Sequence, residues 1–263
     1  MEKLIFKKII KTSTLFKNIS KNTQSNNLNL LDKTKIIYIN LEERQDRKNI
    51  IEKFYKNENL IIERFNAERI NLNLFIQKYP LMNLSTLLSK STKINWVNGT
   101  LGCYDSHYSI LHKYQNNDEN IFLVILEDDC IISKSTLNTA LKFIYKNPSI
   151  DLLRINCWTP TTSNPFNFSL PTKLSKFSSI NNKYYYDGGT HCCIYNIKNI
   201  PKVINFLNKE FVFNFDAILS TNQINSWVLH LPGKIKYSSK SSIQQTTLNK
   251  NKLLKLKLND KLI

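Results

Sequence analysis

Ile121–Asp129 limits what this chain can fold into more than any other stretch. Six apolar residues, Ile-Phe-Leu-Val-Ile-Leu, run straight into Glu127, Asp128 and Asp129. An unbroken apolar run of this length suits a strand buried on both faces of a mainly parallel sheet, which points to the α/β class. In open α/β sheets, ligands bind in the crevice beyond the carboxyl ends of the strands, where these three carboxylates would lie. Adjacent like charges repel, so something positive must hold them, and a hard divalent cation is the simplest candidate. The competing reading is a strand that ends in a solvated acidic turn.

The flanking sequence alternates strand and helix signals. Ile36–Leu41 predicts a first strand, and the charged segment from Glu42 leads into a helix ending near Asn57. Leu60–Phe65 predicts a second strand, and Asn71–Asn98 short helices and loops. Gly99 is expected to open a helix reaching Tyr114, with Leu101, Tyr104, Tyr108 and Leu111 on its apolar face. Ser135–Tyr145 reads as a helix stopped before Pro148, and Asp151–Asn156 as a strand. The Pro-, Ser- and Thr-rich Thr159–Ser179 is expected to be a long surface loop. Cys192–Tyr195 and Ser226–Leu231 predict further strands, Ile200–Leu207 a helix with Pro201 in its first turn, and Asp216 the start of another helical stretch. The expected organisation is a basic extension over 1–34, one domain over 35–240 and a Leu/Lys-rich tail over 241–263.

The net charge of +17 invites nucleic-acid and anionic-membrane readings. Only five of the 37 basic residues are Arg, however, and Asn and Ile are abundant, a bias that an AT-rich genome would impose. Base-edge readout favours Arg, and single-strand binding needs aromatics within a basic groove; no such stripe is present. Nucleic acid is therefore not an expected partner. The five cysteines are odd in number and irregularly spaced, which argues against a disulfide framework and for buried thiols in a reducing, cytoplasmic setting. Leu4, Ile5, Phe6, Ile9 and Ile10 lie among Lys3, Lys7, Lys8 and Lys11, a run too short and too charged to span a bilayer. With the basic tail over 250–263, it suits peripheral contact with an anionic membrane surface; a disordered or docked extension is the alternative.

Several residues stand out as site candidates. Arg44, Asp46 and Arg47 follow the first strand, and Arg offers bidentate donors to phosphate while Asp fixes its rotamer. An ordinary charged helix start is the plain alternative. Paired glycines in Asp187-Gly188-Gly189-Thr190-His191 allow close backbone approach. Ser106 and His107 lie within a helix, where a lone His is more often structural.

Three spaced blocks carry a resemblance to a known family. Ile39-Asn40-Leu41 followed by Arg44-x-Asp46-Arg47 is the first, Gly99-Thr100-Leu101-Gly102-Cys103 with Ser106-His107 the second, and Ile125-Leu126-Glu127-Asp128-Asp129 the third. Together they resemble the family 25 glycosyltransferases, which include lipooligosaccharide and procollagen galactosyltransferases. Weaker similarity continues through Gly188-Gly189-Thr190 and Asp216, so the resemblance covers about residues 35–230. Thr100 departs from the family pattern, which usually has Glu there.

The resemblance implies a GT-A type fold, with a mainly parallel central sheet flanked by helices. It implies inverting transfer of a hexose, most often galactose, from a UDP-sugar to a glycan, lipid-linked or protein hydroxyl acceptor. It further implies Mn²⁺ or Mg²⁺ on Asp129 with Glu127 and Asp128, and a donor side drawing on Asn40, Leu41, Arg44, Asp46, Arg47, Gly102, Ser106, His107, Glu127 and Asp128. Inversion needs a general base, for which Asp216 and Asp187 are the available carboxylates. His191 and His230 are candidate further metal ligands. The rival classes are a non-catalytic relative, which Thr100 favours, and a basic nucleic-acid or membrane protein, which the charge favours and the motif order does not.

Overall fold

The structure is a computed structural model that describes residues 29–90, 93–155, 172–173, 178–180, 183–185, 189–210, 212, 214–219, 223–229 and 235–237. Most of the basic extension, all of the tail, Cys157, Asp187, Gly188, His230 and most of the 159–179 segment lie outside the described residues.

A 3₁₀ turn, Leu30–Lys33, leads into strand β1, Thr34–Leu41. Helix α1, Gln45–Asn57, and strand β2, Glu63–Ala67, follow. Short helices α2, Leu72–Lys78, and α3, Ser85–Lys90, precede the long helix α4, Ile94–Tyr114. Then come β3, Phe122–Glu127, β4, Cys130–Ile132, α5, Lys134–Lys146, and β5, Leu152–Ile155. Short strands β6, Thr172–Lys173, β7, Ser178–Ile180, and β8, Lys183–Tyr185, lie within or beside the segment expected to be loop. The chain continues through β9, Cys192–Asn196, α6, Ile200–Lys209, α7, Phe215–Leu219, β10, Ser226–Leu229, and β11, Ile235–Tyr237.

Seven strands form the central sheet in the order β2-β1-β3-β9-β5-β10-β6. β1 pairs in parallel with both β2 and β3, and β10 in parallel with β5, while β9 runs antiparallel to β3 and β5, and β6 antiparallel to β10. Five strands thus share one direction, giving the expected mixed α/β architecture with a mostly parallel sheet flanked by helices. The chain leaves β1 for β2 on one side and returns as β3 on the other. In open α/β sheets such a reversal is where ligands bind, at the carboxyl ends of the strands, here β1 and β3.

The apolar run reads as its two-sided burial requires. Leu123 and Ile125 face a core shared with Leu101, Tyr104, Ile110 and Leu111 of α4 and Val203 and Leu207 of α6. Phe122, Val124 and Leu126 face the opposite core, with Ile51 and Tyr55 of α1 and Leu137, Leu141 and Ile144 of α5. Each fully buried side chain of this size contributes about 1.5–3 kcal/mol. α5 starts at a Ser133 cap whose hydroxyl accepts from Thr136 N at 3.3 Å, and Asn147 ends it just before Pro148.

Two boundaries differ from expectation. β2 begins at Glu63 rather than Leu60, because the chain turns at Asn59 in a left-handed conformation, φ 51°, and Leu60 N bonds back to Tyr55 O. α4 begins at Ile94, so Gly99 and Gly102 lie inside a helix rather than at its start. Buried Val97, Thr100, Leu101 and Tyr104 continue the helical spacing across both glycines. That burial outweighs the roughly 1 kcal/mol cost of each interior Gly.

Asp151 ties three elements together at the start of β5. It is buried, accepts from Asn225 N at 2.8 Å and pairs with Lys202 of α6. Asp151→Ala leaves a part-buried amide unanswered and should lower stability by about 1–3 kcal/mol, a Tm decrease of roughly 2–10 °C. Lys202→Ala should cost less, since that ammonium is half exposed and Asp151 keeps the amide. Thermal unfolding of both variants checks this; equal Tm values for Asp151→Ala and wild type would remove Asp151 from that role.

Candidate active site

Parallel register with β1 sets Ile39 beside Glu127, so Asn40 and Leu41 end at the same level as the acidic turn. Antiparallel register with β9 pairs Leu126 with Cys192, and Glu127 N donates to His191 O at 3.0 Å. His191 therefore stands beside Glu127 although 64 residues separate them in sequence. Gly189 and Thr190 lead into this strand, and Thr190 Oγ1 donates to Glu127 Oε1.

The three carboxylates share two counter-charges, Arg47 and His191. Arg47 Nη1 donates to Asp128 Oδ1 at 2.6 Å, and Asn40 Nδ2 to Asp128 Oδ2 at 2.8 Å. The same Nη1 stands 3.7 Å from Asp129 Oδ2. His191 Nδ1 lies 3.3 Å from Glu127 Oε2 and 3.9 Å from Asp129 Oδ1. Arg47, Asp128 and Asp129 are all buried, so these are ion pairs in a setting of weak screening. The solvated acidic turn is not what forms.

Burial sets the protonation tendencies. It pushes Asp129 up, and the neighbouring Glu127 charge pushes it further. Burial would raise Glu127 too, but the His191 ring 3.3 Å away holds it below its usual range. Burial would lower His191, yet Glu127 raises it above its ordinary value. Glu127, Asp129 and His191 offer three ligand atoms within 4.8 Å of one another. Asp129 Oδ1 is buried and has no hydrogen-bond partner among the described residues.

Asp216 reaches the same region. At the start of α7 it accepts from Gly189 N at 2.7 Å through Oδ2 and from Ala217 N at 2.8 Å through Oδ1. Burial raises its pKa, with the two amides and Arg154 acting against this. Arg154, fully buried, donates from Nη1 to Gly189 O at 3.3 Å and Asp216 O at 3.4 Å, clamping the two segments.

The remaining candidates are placed as follows. Arg44 forks onto Asp46 at 3.0 and 2.9 Å, which lowers Asp46 to about 2. Leu41 ends β1, half-buried. A Cβ on Gly102 would stand 3.7 Å from Glu68 O, so this glycine faces the 68–70 segment. Ser106 Oγ donates to Gly102 O at 2.8 Å, a bond within its own helix. His107 is fully buried against Phe215, rings 4.7 Å apart, and burial lowers its pKa to about 4. Thr100 Oγ1 donates to Asn214 Oδ1 at 3.4 Å. Sequence reasoning passed over Thr190, Cys103 and Arg154 as companions of the site. Cys103 and Thr190 lay within the quoted blocks without a role of their own, and no local signal pointed to Arg154.

Arg47→Met removes the partner of two buried carboxylates and should destabilise the protein by about 3–5 kcal/mol. Adding Asp128→Asn should restore part of that loss, because the surviving charge is removed as well. Denaturant unfolding of the two single variants and the double variant measures the coupling; strict additivity would mean the 2.6 Å contact carries none.

The geometry can be set beside known proteins. No curated protein sequence matches the chain. A solved glycosyltransferase "involved in the glycosylation of the major capsid of PBCV-1" is similar at 9% identity and TM-score 0.34, covering 67% of this chain and 66% of that one. The chain thus spans just under two thirds of that protein's length. The family model described as glycosyltransferase family 25 (LPS biosynthesis protein) matches residues 33–201, a span that runs from the start of β1 through the acidic turn and β9. The chain belongs to glycosyltransferase family 25.

Proposed function

We propose that this chain is a metal-dependent, inverting glycosyltransferase that moves a hexose, galactose first among them, from a UDP-sugar to a glycan, lipid-linked or protein hydroxyl. The observation that carries the reading is the convergence of Glu127, Asp129 and His191 at the carboxyl end of β3. Two carboxylate oxygens with one imidazole nitrogen suit Mn²⁺ better than the all-oxygen shell typical of Mg²⁺. The buried, unanswered Asp129 Oδ1 fits a cation partner as well. When bound, such an ion supplies positive charge to a nucleoside diphosphate as the sugar–phosphate bond breaks.

The chain's own residues supply the rest. Asn40 and Arg47 fix Asp128, which keeps the turn rigid and leaves Glu127 and Asp129 facing His191. Arg47, paired with Asp128 and Asp129, and Arg44, paired with Asp46, order the loop after β1 at the edge where a diphosphate would lie. Asp216 is the general base that takes the acceptor hydroxyl proton. Gly189 N and Ala217 N each donate to one of its oxygens and so orient the carboxylate. The membrane contact expected of residues 1–17 and 250–263 concerns segments outside the described residues. No helix of the described residues is long and apolar enough to cross a membrane.

A second reading, a non-catalytic relative that binds a sugar nucleotide, is favoured by Thr100. It is buried and bonded to Asn214, two residues before Asp216, where the family's usual Glu would bring a further carboxylate.

Thermal shift with a panel of UDP-sugars, with and without Mn²⁺, tests the site. Stabilisation by one UDP-sugar should require Mn²⁺ and should vanish in Asp129→Asn, whose own fold persists because charge is removed with little volume. A wild-type protein that responds to no UDP-sugar with Mn²⁺ present would sink the proposal. Asp216→Asn should keep that binding while UDP release in the presence of acceptor falls roughly 10²–10⁴-fold. Unchanged turnover in that variant excludes Asp216 as the base. Binding without turnover in the wild type selects the non-catalytic reading.

A further inference from the structure

Two residues of α4 stand outside this chemistry. Cys103 and His107 are four apart on one helix, so their side chains project from the same face. That face meets the end of β3. Cys103, His107 and Glu127 bring a sulfur, an imidazole nitrogen and a carboxylate oxygen within 4.8 Å of one another. His107 is fully buried, and neither Nδ1 nor Nε2 has a hydrogen-bond partner among the described residues. Phe215, stacked on the ring, offers those nitrogens neither donor nor acceptor. A buried imidazole with both nitrogens unanswered calls for a ligand.

We propose that Cys103, His107 and Glu127 form a second cation site, one that takes a thiophilic divalent ion such as Zn²⁺. Sulfur is the discriminating donor: Zn²⁺ and Co²⁺ accept thiolate, imidazole and carboxylate together, whereas Mg²⁺ and Ca²⁺ select oxygen. Binding converts the Cys103 thiol to a metal-bound thiolate, with its proton released to solvent. Cys103 and Glu127 are only half-buried, which leaves an entry path. Glu127 belongs to this set and to the Glu127–Asp129–His191 set. A thiophilic ion on Cys103 and His107 competes for that carboxylate and so inhibits Mn²⁺-supported transfer. This consequence rests on the proposed function; the site itself does not.

Titration of reduced, chelator-treated full-length protein with Co²⁺ tests the site through the near-ultraviolet thiolate-to-cobalt charge-transfer band. The band should saturate at one ion per chain and be lost in Cys103→Ser. It should need roughly tenfold or more higher Co²⁺ in His107→Gln. It should persist in His191→Ala, which removes a ligand of the other set only. Circular dichroism checks the fold of each variant; if Cys103→Ser does not fold, the wild-type titration and His107→Gln decide. No band in folded wild-type protein, or a band unchanged in either Cys103→Ser or His107→Gln, overturns the proposal. No nucleotide sugar enters this measurement, so its outcome is independent of whether the chain transfers a sugar.

Discussion

Three successive carboxylates at the buried end of a strand cannot stand without positive charge close by, and much of the structure around them answers that need. Partners come from β1, α1 and the entry to β9, and two of them are shared. Asp128 is held by Asn40 of β1 and Arg47 of α1, Glu127 by Thr190 and His191 at the head of β9, and Asp129 lies between Arg47 and His191. Two like charges at such separations in a poorly screened interior repel by several kcal/mol, so removing any one counter-charge unbalances the rest. The balance also leaves one oxygen, Asp129 Oδ1, without a hydrogen bond among the described residues.

The order of strands is what makes this possible. β1 and β3 run side by side in the same direction, so the segments leaving both strands emerge at one edge. β9 runs the opposite way, and the residues that enter it, rather than those that leave it, reach that edge. Gly189 lies in this entry with φ 100°, a conformation that side chains rarely adopt, and turns its amide onto Asp216. Arg154 binds the carbonyls on both sides of the same contact. The late segment that carries Asp216 is thereby tied to the entry into β9, which meets the acidic turn through His191 O and Thr190 Oγ1.

Membership of glycosyltransferase family 25 gives these contacts a chemical context, and the structure gives the family blocks separate tasks. In the first block Arg47 steadies the acidic turn, while Arg44 pairs with Asp46 at the surface. In the second block Gly102 and Ser106 serve the helix and its packing, and Cys103 and His107 face Glu127. Thr100, where the family usually has Glu, is buried and bonded to Asn214, two residues before Asp216.

The sequence by itself determined the α/β class, the two-sided burial of β3 and the position of the acidic turn. These depend on local runs of apolar residues and on where they stop. It also determined α5 and α6 closely, since Ser133, Pro148 and Pro201 punctuate them through local backbone chemistry. It misjudged the starts of β2 and α4, where the turn at Asn59 and the packing of Val97, Leu101 and Tyr104 overrode local glycine and apolar signals. Arg47 was legible as a site candidate but not as the partner of Asp128, 81 positions away. His191 was one of two candidate histidines, and no local signal set it beside Glu127. Those pairings were decided only by the tertiary structure, because strand order and register set which distant side chains share an edge, and neither is written in the spacing of residues along the chain.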